Sequence, residues 1–353
     1  MSESIAVLAP GGIGAPIAGL LTRAGHDVLV IDQWAEHVET MKTHGLHLII
    51  GTKQKPEEEV TIPVRAVHLY EVAPLRPAFD VVFLTAKSYD TRWLTQFIAP
   101  SLADDGVLVS MQNSMNHEWI RPILGGGRDI ACILTGGGEL ISPGNVWRNR
   151  SLEHPYYTLG ELDGTSTPRL EKVARILGDA GKTKTAKNIV SAKWTKVIRN
   201  SQSAVASMCG RRSWELLDEQ YGYVPTVAHI TREAMEVGAA SGYDLEPING
   251  LTVEDLKRSP EEVARAITED AKVGGSEGSM NHISQDLGRG RPTEVGYLNG
   301  LIAKKGRAVG IPTPACDAVV AIFDQLESGR LQPSLQNLDL LRARIESVAR
   351  ASR

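Results

Sequence analysis

The chain has 353 residues, a length typical of about two domains. Its 38 lysines and arginines nearly balance its 42 aspartates and glutamates, so the formal net charge is −4 and the basic surface typical of nucleic-acid-binding proteins is missing. No apolar run reaches the roughly 18 residues that a membrane span needs, and the N-terminus does not have the pattern of a signal peptide. We therefore expect a globular protein without nucleic-acid or membrane partners.

The cysteines indicate the redox compartment. Cys132, Cys209 and Cys316 are scattered along the chain, with neither disulfide nor zinc-ligand spacing. This usage favours a reducing environment, and we expect a cytoplasmic location. Four histidines lie near one another in sequence, but they flank the second strand and its helix without a shared ligand face: His26, His37, His44 and His47. We interpret them as scattered surface residues and expect no metal site.

Apolar runs typical of buried strands alternate with helical patterns through the first half of the chain. The strand patterns lie at residues 5–8, 28–31, 46–50, 81–85 and 107–111, and the helical patterns at 15–24, 35–43, 91–102 and 167–180. Gly25 follows the first helical pattern, where glycine commonly ends a helix because it accepts a left-handed backbone. The alternation predicts a parallel sheet covered by helices on both faces, as in a Rossmann domain.

The turn after the first strand pattern carries a candidate binding motif. Residues 9–14 read A-P-G-G-I-G, which matches the dinucleotide fingerprint G-x-G-x-x-G except for Ala9 at the first glycine. Such a turn brings bare backbone and a helix N-terminus against a pyrophosphate. We expect Gly11, Gly12, Ile13 and Gly14 to bind the cofactor, and Ala9 to be tolerated if the turn does not need a positive φ. The alternative is an ordinary glycine-rich turn.

An acidic residue ends the second strand pattern. Asp32 lies 18 residues after Gly14, close to the spacing expected for the acid that accepts hydrogen bonds from the adenosine ribose hydroxyls. A carboxylate there would repel a 2′-phosphate, and no arginine or lysine stands directly beside it. The pattern favours NAD over NADP as the cofactor. Asp32 could also cap the following helix, and the two roles are compatible.

Two polar segments follow later strand patterns, at the sheet edge where α/β proteins bind ligands. One is T-A-K-S at residues 85–88, which contains Lys87, and the other is M-Q-N-S at residues 111–114, which contains Asn113. The residues alone leave simpler roles open, a surface charge for Lys87 and a turn residue for Asn113.

The second half of the chain is dominated by helical patterns, at residues 192–208, 224–241, 260–272, 293–309 and 317–326, with an amphipathic tail at 332–353. The acidic and polar segment 245–275 is interpreted as an inserted helix or lid. We therefore predict two domains, a Rossmann NAD(P)-binding domain at 1–188 and an all-α domain at 189–353. The amphipathic tail of the all-α domain is compatible with packing or dimerisation.

Three residues of the helical half could carry chemistry. Lys196 and Asn200 are four residues apart and share one helical face. Glu294 follows Pro292, and we expect it in the first turn of a helix, where the helix dipole favours a carboxylate. Taken alone, Lys196 and Glu294 are equally compatible with a solvated charge and an ordinary helix-start acid.

The motifs in combination resemble the ketopantoate reductase (2-dehydropantoate 2-reductase) family, from about residue 5 to residue 314. Besides the glycine-rich turn, the matching segments are T-A-K-S at 85–88, Q-N at 112–113, A-K-W-T-K-V-I-R-N at 192–200, Q-D-L-G-R-G-R-P-T-E-V at 285–295, L-N-G at 298–300 and G-I-P-T-P at 310–314.

The resemblance implies hydride transfer between a nicotinamide and a 2-oxo acid carbonyl, and it gives the all-α domain a role in substrate binding. It makes Lys196 the catalytic lysine that hydrogen-bonds the carbonyl oxygen and protonates the developing alkoxide. It makes Glu294 the glutamate that holds the lysine and the substrate in place. Asn113 and Lys87 match positions near the nicotinamide and substrate, and Asn200 matches a substrate-contacting asparagine.

The sequence departs from the family pattern where the substrate is contacted. Ala204 replaces a second asparagine, His282 a serine that grips the substrate carboxylate, and Ser114 a glycine. Gln33 stands where the family has a basic residue for a 2′-phosphate. His282 could bind a carboxylate when protonated or a hydroxyl when neutral, or could be a helix-surface residue.

We therefore expect an NAD(P)-dependent oxidoreductase for a ketopantoate-like 2-oxo or 2-hydroxy acid, acting as a homodimer on a small-molecule substrate. One alternative is an NAD-dependent dehydrogenase of another secondary alcohol or polyhydroxylated acid with an altered pocket. A second is a non-catalytic dinucleotide sensor on the same fold, which the presence of both Lys196 and Glu294 disfavours.

Overall fold

The computed structural model describes residues 3–52, 54–247, 250–257, 263–265, 267–268 and 280–351. The chain forms two compact units, Met1–Val190 and Ser191–Arg353. The boundary between them lies two residues after the one predicted at 188/189. Each unit is taken by itself below.

The first unit contains the strands, in chain order β1 (Ser4–Leu8), β2 (Asp27–Asp32), β3 (Leu46–Gly51), β4 (Pro56–Ile62), β5 (Arg65–His68), β6 (Phe79–Leu84), β7 (Leu102–Ser110), β8 (Asp129–Leu134), β9 (Gly138–Ser142), β10 (Asn145–Arg148), β11 (Pro155–Gly160) and β12 (Lys182–Thr185). Its α-helices are α1 (Gly14–Arg23), α2 (Ala35–His44), α3 (Leu69–Leu75), α4 (Thr91–Ile98), α5 (His117–Leu124) and α6 (Pro168–Gly178).

Eight strands form the main sheet, in the order β12-β11-β8-β7-β6-β1-β2-β5. Their pairings are parallel except for β11, which runs antiparallel to β8. Strand β1 shows why a continuous apolar run forms such a strand. Ile5 and Val7 enter the core on one face of the sheet, whereas Ala6 and Leu8 enter the core on the other. The predicted two-faced α/β sheet is confirmed.

The prediction for residues 46–50 was right about the strand and wrong about its sheet. Strand β3 turns back through an antiparallel pairing with β4, and the two join β10 and β9 in a separate four-stranded sheet of order β4-β3-β10-β9. The main sheet takes β5 as the neighbour of β2 instead. Strand β5 has only four residues, with a polar residue at each end, so the sequence has no apolar run there from which a strand could be predicted.

The second unit is helical where it is described. Its α-helices are α7 (Ile189–Met208, which begins two residues before the unit boundary), α8 (Tyr223–Ala240), α9 (His282–Gly288), α10 (Asn299–Val309), α11 (Pro314–Glu327) and α12 (Gln336–Ala351). None of the helices in the described part of the chain combines the length and the apolar character that crossing a membrane requires.

Two predicted helices end or begin elsewhere. The pattern at 91–102 ends as an α-helix at Ile98 and passes through a three-residue 3₁₀ turn into β7, because Pro100 interrupts helical hydrogen bonding. The pattern at 293–309 becomes an α-helix only at Asn299. Most of the helix predicted at 260–272, and much of the segment 245–275, lies outside the described residues.

Candidate functional site

The glycine-rich turn joins β1 to α1 in the arrangement that the dinucleotide fingerprint requires. The Ala9 N–H donates to Ile31 O at 2.8 Å, and Thr85 Oγ1 donates to Leu8 O and Ala9 O at 2.9 and 3.0 Å. The φ of Ala9 is +56°, so the turn does need a positive φ. The condition under which we expected alanine to be tolerated is therefore not met, and the chain carries alanine there all the same. Ala9 takes this conformation at a cost that glycine would avoid.

The three following glycines serve different purposes. A Cβ on Gly12 would lie 2.6 Å from the Gly138 carbonyl, and one on Gly14 would overlap the Thr85 side chain, so both glycines permit close packing. A Cβ on Gly11 would meet nothing within 4 Å, so the backbone there faces open space. Ile13 is half-buried and immediately precedes α1. Bare backbone at Gly11 beside a helix N-terminus fits a pyrophosphate.

Asp32 occupies the carboxyl end of β2, as predicted. Its side chain is 7% exposed, and Oδ1 accepts the Trp34 N–H at 2.9 Å. This bond orients the carboxylate, but Asp32 does not cap the following helix, because the N-cap residue of α2 is Trp34 and no side chain caps it. His68, at the end of β5, lies beside Asp32 in register and binds Glu39 Oε1 at 2.8 Å. The edge around Asp32 therefore carries more than one carboxylate.

Gln112 ties together the two polar segments that follow β6 and β7. Its amide nitrogen donates to Ala86 O at 3.0 Å and to Thr91 Oγ1 at 2.8 Å. Lys87 and Asn113 are both half-buried in these segments, at the carboxyl edge of the sheet. Sequence reasoning used Gln112 only as part of a motif. Its 6% exposure and fixed amide show that it positions the loops.

In the second unit, Trp194 fixes the orientation of α7. The indole is fully buried, and Nε1 donates to Ala234 O of α8 at 2.9 Å. Gly238 makes room for it, since a Cβ there would lie 2.6 Å from the indole Cδ1. Lys196 is two residues further, roughly 200° around the helix, and is half-buried on another face. The tryptophan of the motif thus anchors the helix that presents the lysine.

The face of α7 that carries Lys196 is polar over several turns. Asn200, Ser203 and Ser207 follow at helical spacing on that side. Ser207 Oγ donates to Asn281 Oδ1 at 3.0 Å, and Asn281 caps the N-terminus of α9. His282, the first residue of α9, is therefore held next to this polar face two turns beyond Asn200. It is half-buried, so the helix-surface alternative does not describe it fully.

Ala204, four residues after Asn200, lies at the buried edge of that polar face. It is fully buried, whereas Ser203 beside it is half-buried. The family's second asparagine position is therefore part of the apolar packing in this chain.

Glu294 is not in the first turn of an α-helix, which corrects the expectation above. It precedes a 3₁₀ turn, Val295–Tyr297, and its carbonyl accepts the Tyr297 N–H at 2.9 Å. The side chain is 2% exposed. Further along, Asn299 Nδ2 donates to Ser201 O of α7 at 3.3 Å, which ties the segment after Glu294 to the helix that carries Lys196.

The histidines near β2 do not share one environment. His26 binds Asp179 at 2.8 Å and His47 binds Glu59 at 3.0 Å, both near the surface. His37 is fully buried, so its interpretation as a surface residue was wrong. Among the described residues, no group of three or more histidines, cysteines or carboxylates could hold a metal. The three cysteines are buried thiols that form no disulfide.

Comparison with known proteins gives a consistent family. The sequence matches "Ketopantoate reductase PanE/ApbA" over residues 5–164 and "Ketopantoate reductase PanE/ApbA C terminal" over residues 188–327. It is 27% identical over 330 residues to 2-dehydropantoate 2-reductase of Pyrococcus horikoshii, covering 92% of this chain and 97% of the relative.

Solved structures agree on the fold. A PanE/ApbA family ketopantoate reductase from Ralstonia eutropha JMP134 has a TM-score of 0.76 and 25% identity, over 92% of this chain and 99% of the other. D-mandelate dehydrogenase in a ternary structure with NADH and anilino(oxo)acetate has a TM-score of 0.77 and 22% identity, over 92% and 98%. The chain belongs to the ketopantoate reductase family, whose members are NAD(P)-dependent oxidoreductases acting on CH–OH groups.

Proposed function

We propose that the protein is an NAD(H)-linked oxidoreductase that interconverts a 2-oxo acid and the corresponding 2-hydroxy acid. The observation that carries this proposal is the polar face of α7, on which Lys196 and Asn200 are half-buried while Trp194 anchors the helix from another side. We assign cofactor binding to the first unit, and we assign substrate binding to Asn200 and His282 of the second unit and to Asn113 of the first. NADH beside a 2-oxo acid analogue in D-mandelate dehydrogenase supports the pairing of these ligands on this fold.

Each residue has a defined role in the proposal. When bound, a reduced nicotinamide would supply the hydride that the substrate carbonyl carbon accepts. The Lys196 ammonium donates a hydrogen bond to the carbonyl oxygen and then transfers a proton to the alkoxide, so that a neutral alcohol leaves. Glu294 holds Lys196 and the substrate. Asn113, Asn200 and His282 bind the substrate. Asn113 also joins Lys87, Asp32 and residues 11–14 in holding the cofactor.

Replacing Lys196 tests the catalytic assignment. Lys196→Ala should lower kcat by at least about 100-fold, because the developing alkoxide loses its proton donor. The matched control is Lys304→Ala, which removes an exposed lysine of α10 in the same unit and should leave kcat within about twofold. A Lys196→Ala enzyme that keeps more than about a third of its turnover would refute the assignment. Steady-state kinetics with NADH and a panel of 2-oxo acids supplies the measurement.

We further propose NAD over NADP, because a 2′-phosphate would meet the Asp32 carboxylate at an edge that also carries Glu39. The wild type should show kcat/KM at least about tenfold higher with NADH than with NADPH. The double variant Asp32→Ser with Gln33→Arg should narrow or reverse that ratio. Asp27→Ser, at the exposed other end of β2, serves as the control and should leave the ratio unchanged. A wild-type preference for NADPH would contradict the proposal.

We propose a substrate other than ketopantoate itself, since Ala204, His282 and Ser114 all differ from the family pattern. A panel containing ketopantoate, other 2-oxo acids and their 2-hydroxy acids, with both cofactors, decides this. A much higher kcat/KM for ketopantoate with NADPH would overturn the altered-pocket proposal. Tight NADH binding with no turnover of any panel member would favour the sensor alternative.

We also propose a homodimer in the cytoplasm. A dimeric ketopantoate reductase from Staphylococcus aureus supports the oligomeric state, and the three buried cysteines without a disulfide are compatible with a reducing compartment. Light scattering after size-exclusion chromatography should give about twice the 38.2 kDa of one chain.

A further inference from the structure

His37 connects the glycine-rich turn to the second sheet through both ring nitrogens. It lies in α2 and is fully buried. Nδ1 accepts the Gly144 N–H at 2.9 Å, and Nε2 lies 3.1 Å from Pro10 O. Because Nδ1 accepts, the proton of the neutral ring is on Nε2, which donates to the Pro10 carbonyl. Burial holds the pKa of His37 below its ordinary value, against the opposing charge of Asp32, and so favours this neutral form.

The bond from His37 completes the fixation of one peptide plane in the turn. The peptide between Pro10 and Gly11 has its carbonyl bound by His37, and its N–H donates to Ala9 O at 3.0 Å. With both ends bonded, this plane cannot rotate without losing a buried hydrogen bond. The backbone that faces open space at Gly11 directly follows it.

The β9–β10 hairpin reaches the turn at a second point. Gly12 packs so closely on Gly138, at the start of β9, that a Cβ on Gly12 would lie 2.6 Å from the Gly138 carbonyl oxygen. Gly144, in the hairpin turn, binds His37. The segment Pro10–Gly12 is thus held at one end through His37 and at the other by direct backbone packing. Both contacts come from the four-stranded second sheet. A dinucleotide turn needs only a strand of the main sheet and the helix that follows it, so the second sheet is an additional support.

We propose that His37 is a positioning residue for the cofactor: it presets the backbone of Pro10–Gly12 in the geometry that receives a pyrophosphate. This inference rests on the proposed dinucleotide binding. We expect His37 to raise the affinity for the diphosphate part of the ligand, because a preorganised backbone lowers the entropy cost of binding. We expect no effect of His37 on proton transfer.

An asparagine and a glutamine variant separate the two hydrogen bonds. His37→Gln can place an amide N–H near the position of Nε2 and keep the bond to Pro10, whereas His37→Asn is too short to do so. We expect His37→Asn to weaken NADH and ADP-ribose binding at least about tenfold, and His37→Gln to stay within about threefold of the wild type. With saturating NADH, kcat should remain within about twofold for both. His47→Asn, on β3, is the matched control and should change nothing.

The readouts distinguish a positioning role from a merely structural one. Titration by nucleotide fluorescence gives Kd, steady-state kinetics gives the KM-against-kcat split, and thermal unfolding gives Tm. Equal affinities in wild type and His37→Asn, or a loss of kcat without a loss of affinity, would overturn the inference. If the wild type binds neither NADH, NADPH nor ADP-ribose, the proposed function itself fails. If the wild type and His37→Asn both bind the nucleotide with equal affinity, only the role proposed for His37 is refuted.

Discussion

Among the described residues, three that are not glycine have a positive φ, and two of them, Ala9 and Ser114, lie in segments assigned to the candidate site. Ala9 has a φ of +56° and Ser114 a φ of +70°. Ala9 occupies the first glycine position of the dinucleotide fingerprint, and Ser114 occupies a position where the family usually has glycine. The chain therefore keeps the backbone of a glycine at both positions while carrying a Cβ. The surrounding hydrogen bonds hold this geometry, as the Ala9 N–H bond to Ile31 O illustrates.

Restoring glycine should relieve this strain. Left-handed backbone costs an L residue about 1–2 kcal/mol, and the greater unfolded-state entropy of glycine offsets about 0.4–1 kcal/mol of the gain. Ala9→Gly and Ser114→Gly should each raise the free energy of unfolding by about 0.5–1 kcal/mol, measured by urea denaturation.

The control for the glycine variants is Ala24→Gly. Ala24 caps α1 with a right-handed φ of −75°, so glycine there adds only unfolded-state entropy and should lower stability. If Ala9→Gly and Ser114→Gly destabilise the protein as Ala24→Gly does, the strain at the two positions is not what limits stability.

Among the elements, helix α11 has an unusual carboxylate at its N-terminus. Glu233, from α8, is 8% exposed and accepts the N–H groups of Ala315 and Cys316 at 2.7 and 2.9 Å. These bonds satisfy two of the donors that a helix start leaves open. Burial outweighs them, however, and raises the pKa of Glu233 to about 7.

The raised pKa predicts how stability changes with pH. The folded protein binds the Glu233 proton more tightly than the unfolded chain, whose glutamate has a pKa near 4.5. The contribution is thus fully present below pH 4.5 and is lost as the pH rises to about 7. Relative to Glu233→Gln, the wild type should lose roughly 1–3 kcal/mol of unfolding free energy across this window.

Unfolding of both proteins at a series of pH values measures the effect of Glu233. Glu236→Gln is the control, since Glu236 is exposed on the same helix, and its difference from the wild type should not follow the Glu233 pattern. A stability difference between wild type and Glu233→Gln that stays constant from pH 4.5 to 8 would contradict the prediction.

At the scale of the whole molecule, each of the two units is compact, and the first has apolar cores on both faces of its main sheet. The last residues of the first unit contribute to its packing. Ile189 is fully buried, and a Cβ on Gly160 would lie 2.5 Å from its Cβ. The first turn of α7 therefore belongs to the packing of the first unit, although most of the helix is in the second.

Two fragments test this division. Both 1–188 and 1–190 should unfold cooperatively and bind ADP-ribose, but 1–190 should be more stable by about 1.5–3 kcal/mol, because it buries Ile189. Chemical denaturation followed by circular dichroism compares them. Fragments of equal stability would show that Ile189 does not contribute to the first unit, and the absence of a cooperative transition in both would show that the unit does not fold alone.

Local signals determined much of this protein from the sequence alone. Continuous apolar runs predicted five strand segments, and the glycine spacing predicted a glycine-rich turn at the start of α1. The spacing of Trp194, Lys196 and Asn200 on one helix also follows from local geometry, because 3.6 residues per turn decide which side chains share a face. These features depend on residues close together in the chain.

Contacts between distant segments decided the rest. Strand β3 pairs with β4 and β10 in the second sheet, and β5 takes the place beside β2 in the main sheet. His37 is buried, and its two ring nitrogens bond to Gly144 and Pro10, which lie elsewhere in the chain. Glu294 precedes a 3₁₀ turn, and the α-helix begins only at Asn299, whose side chain binds Ser201 O of α7. Bringing distant segments together costs loop-closure entropy, which packing between those segments offsets. No local sequence pattern encodes that packing, so only the tertiary structure could reveal it.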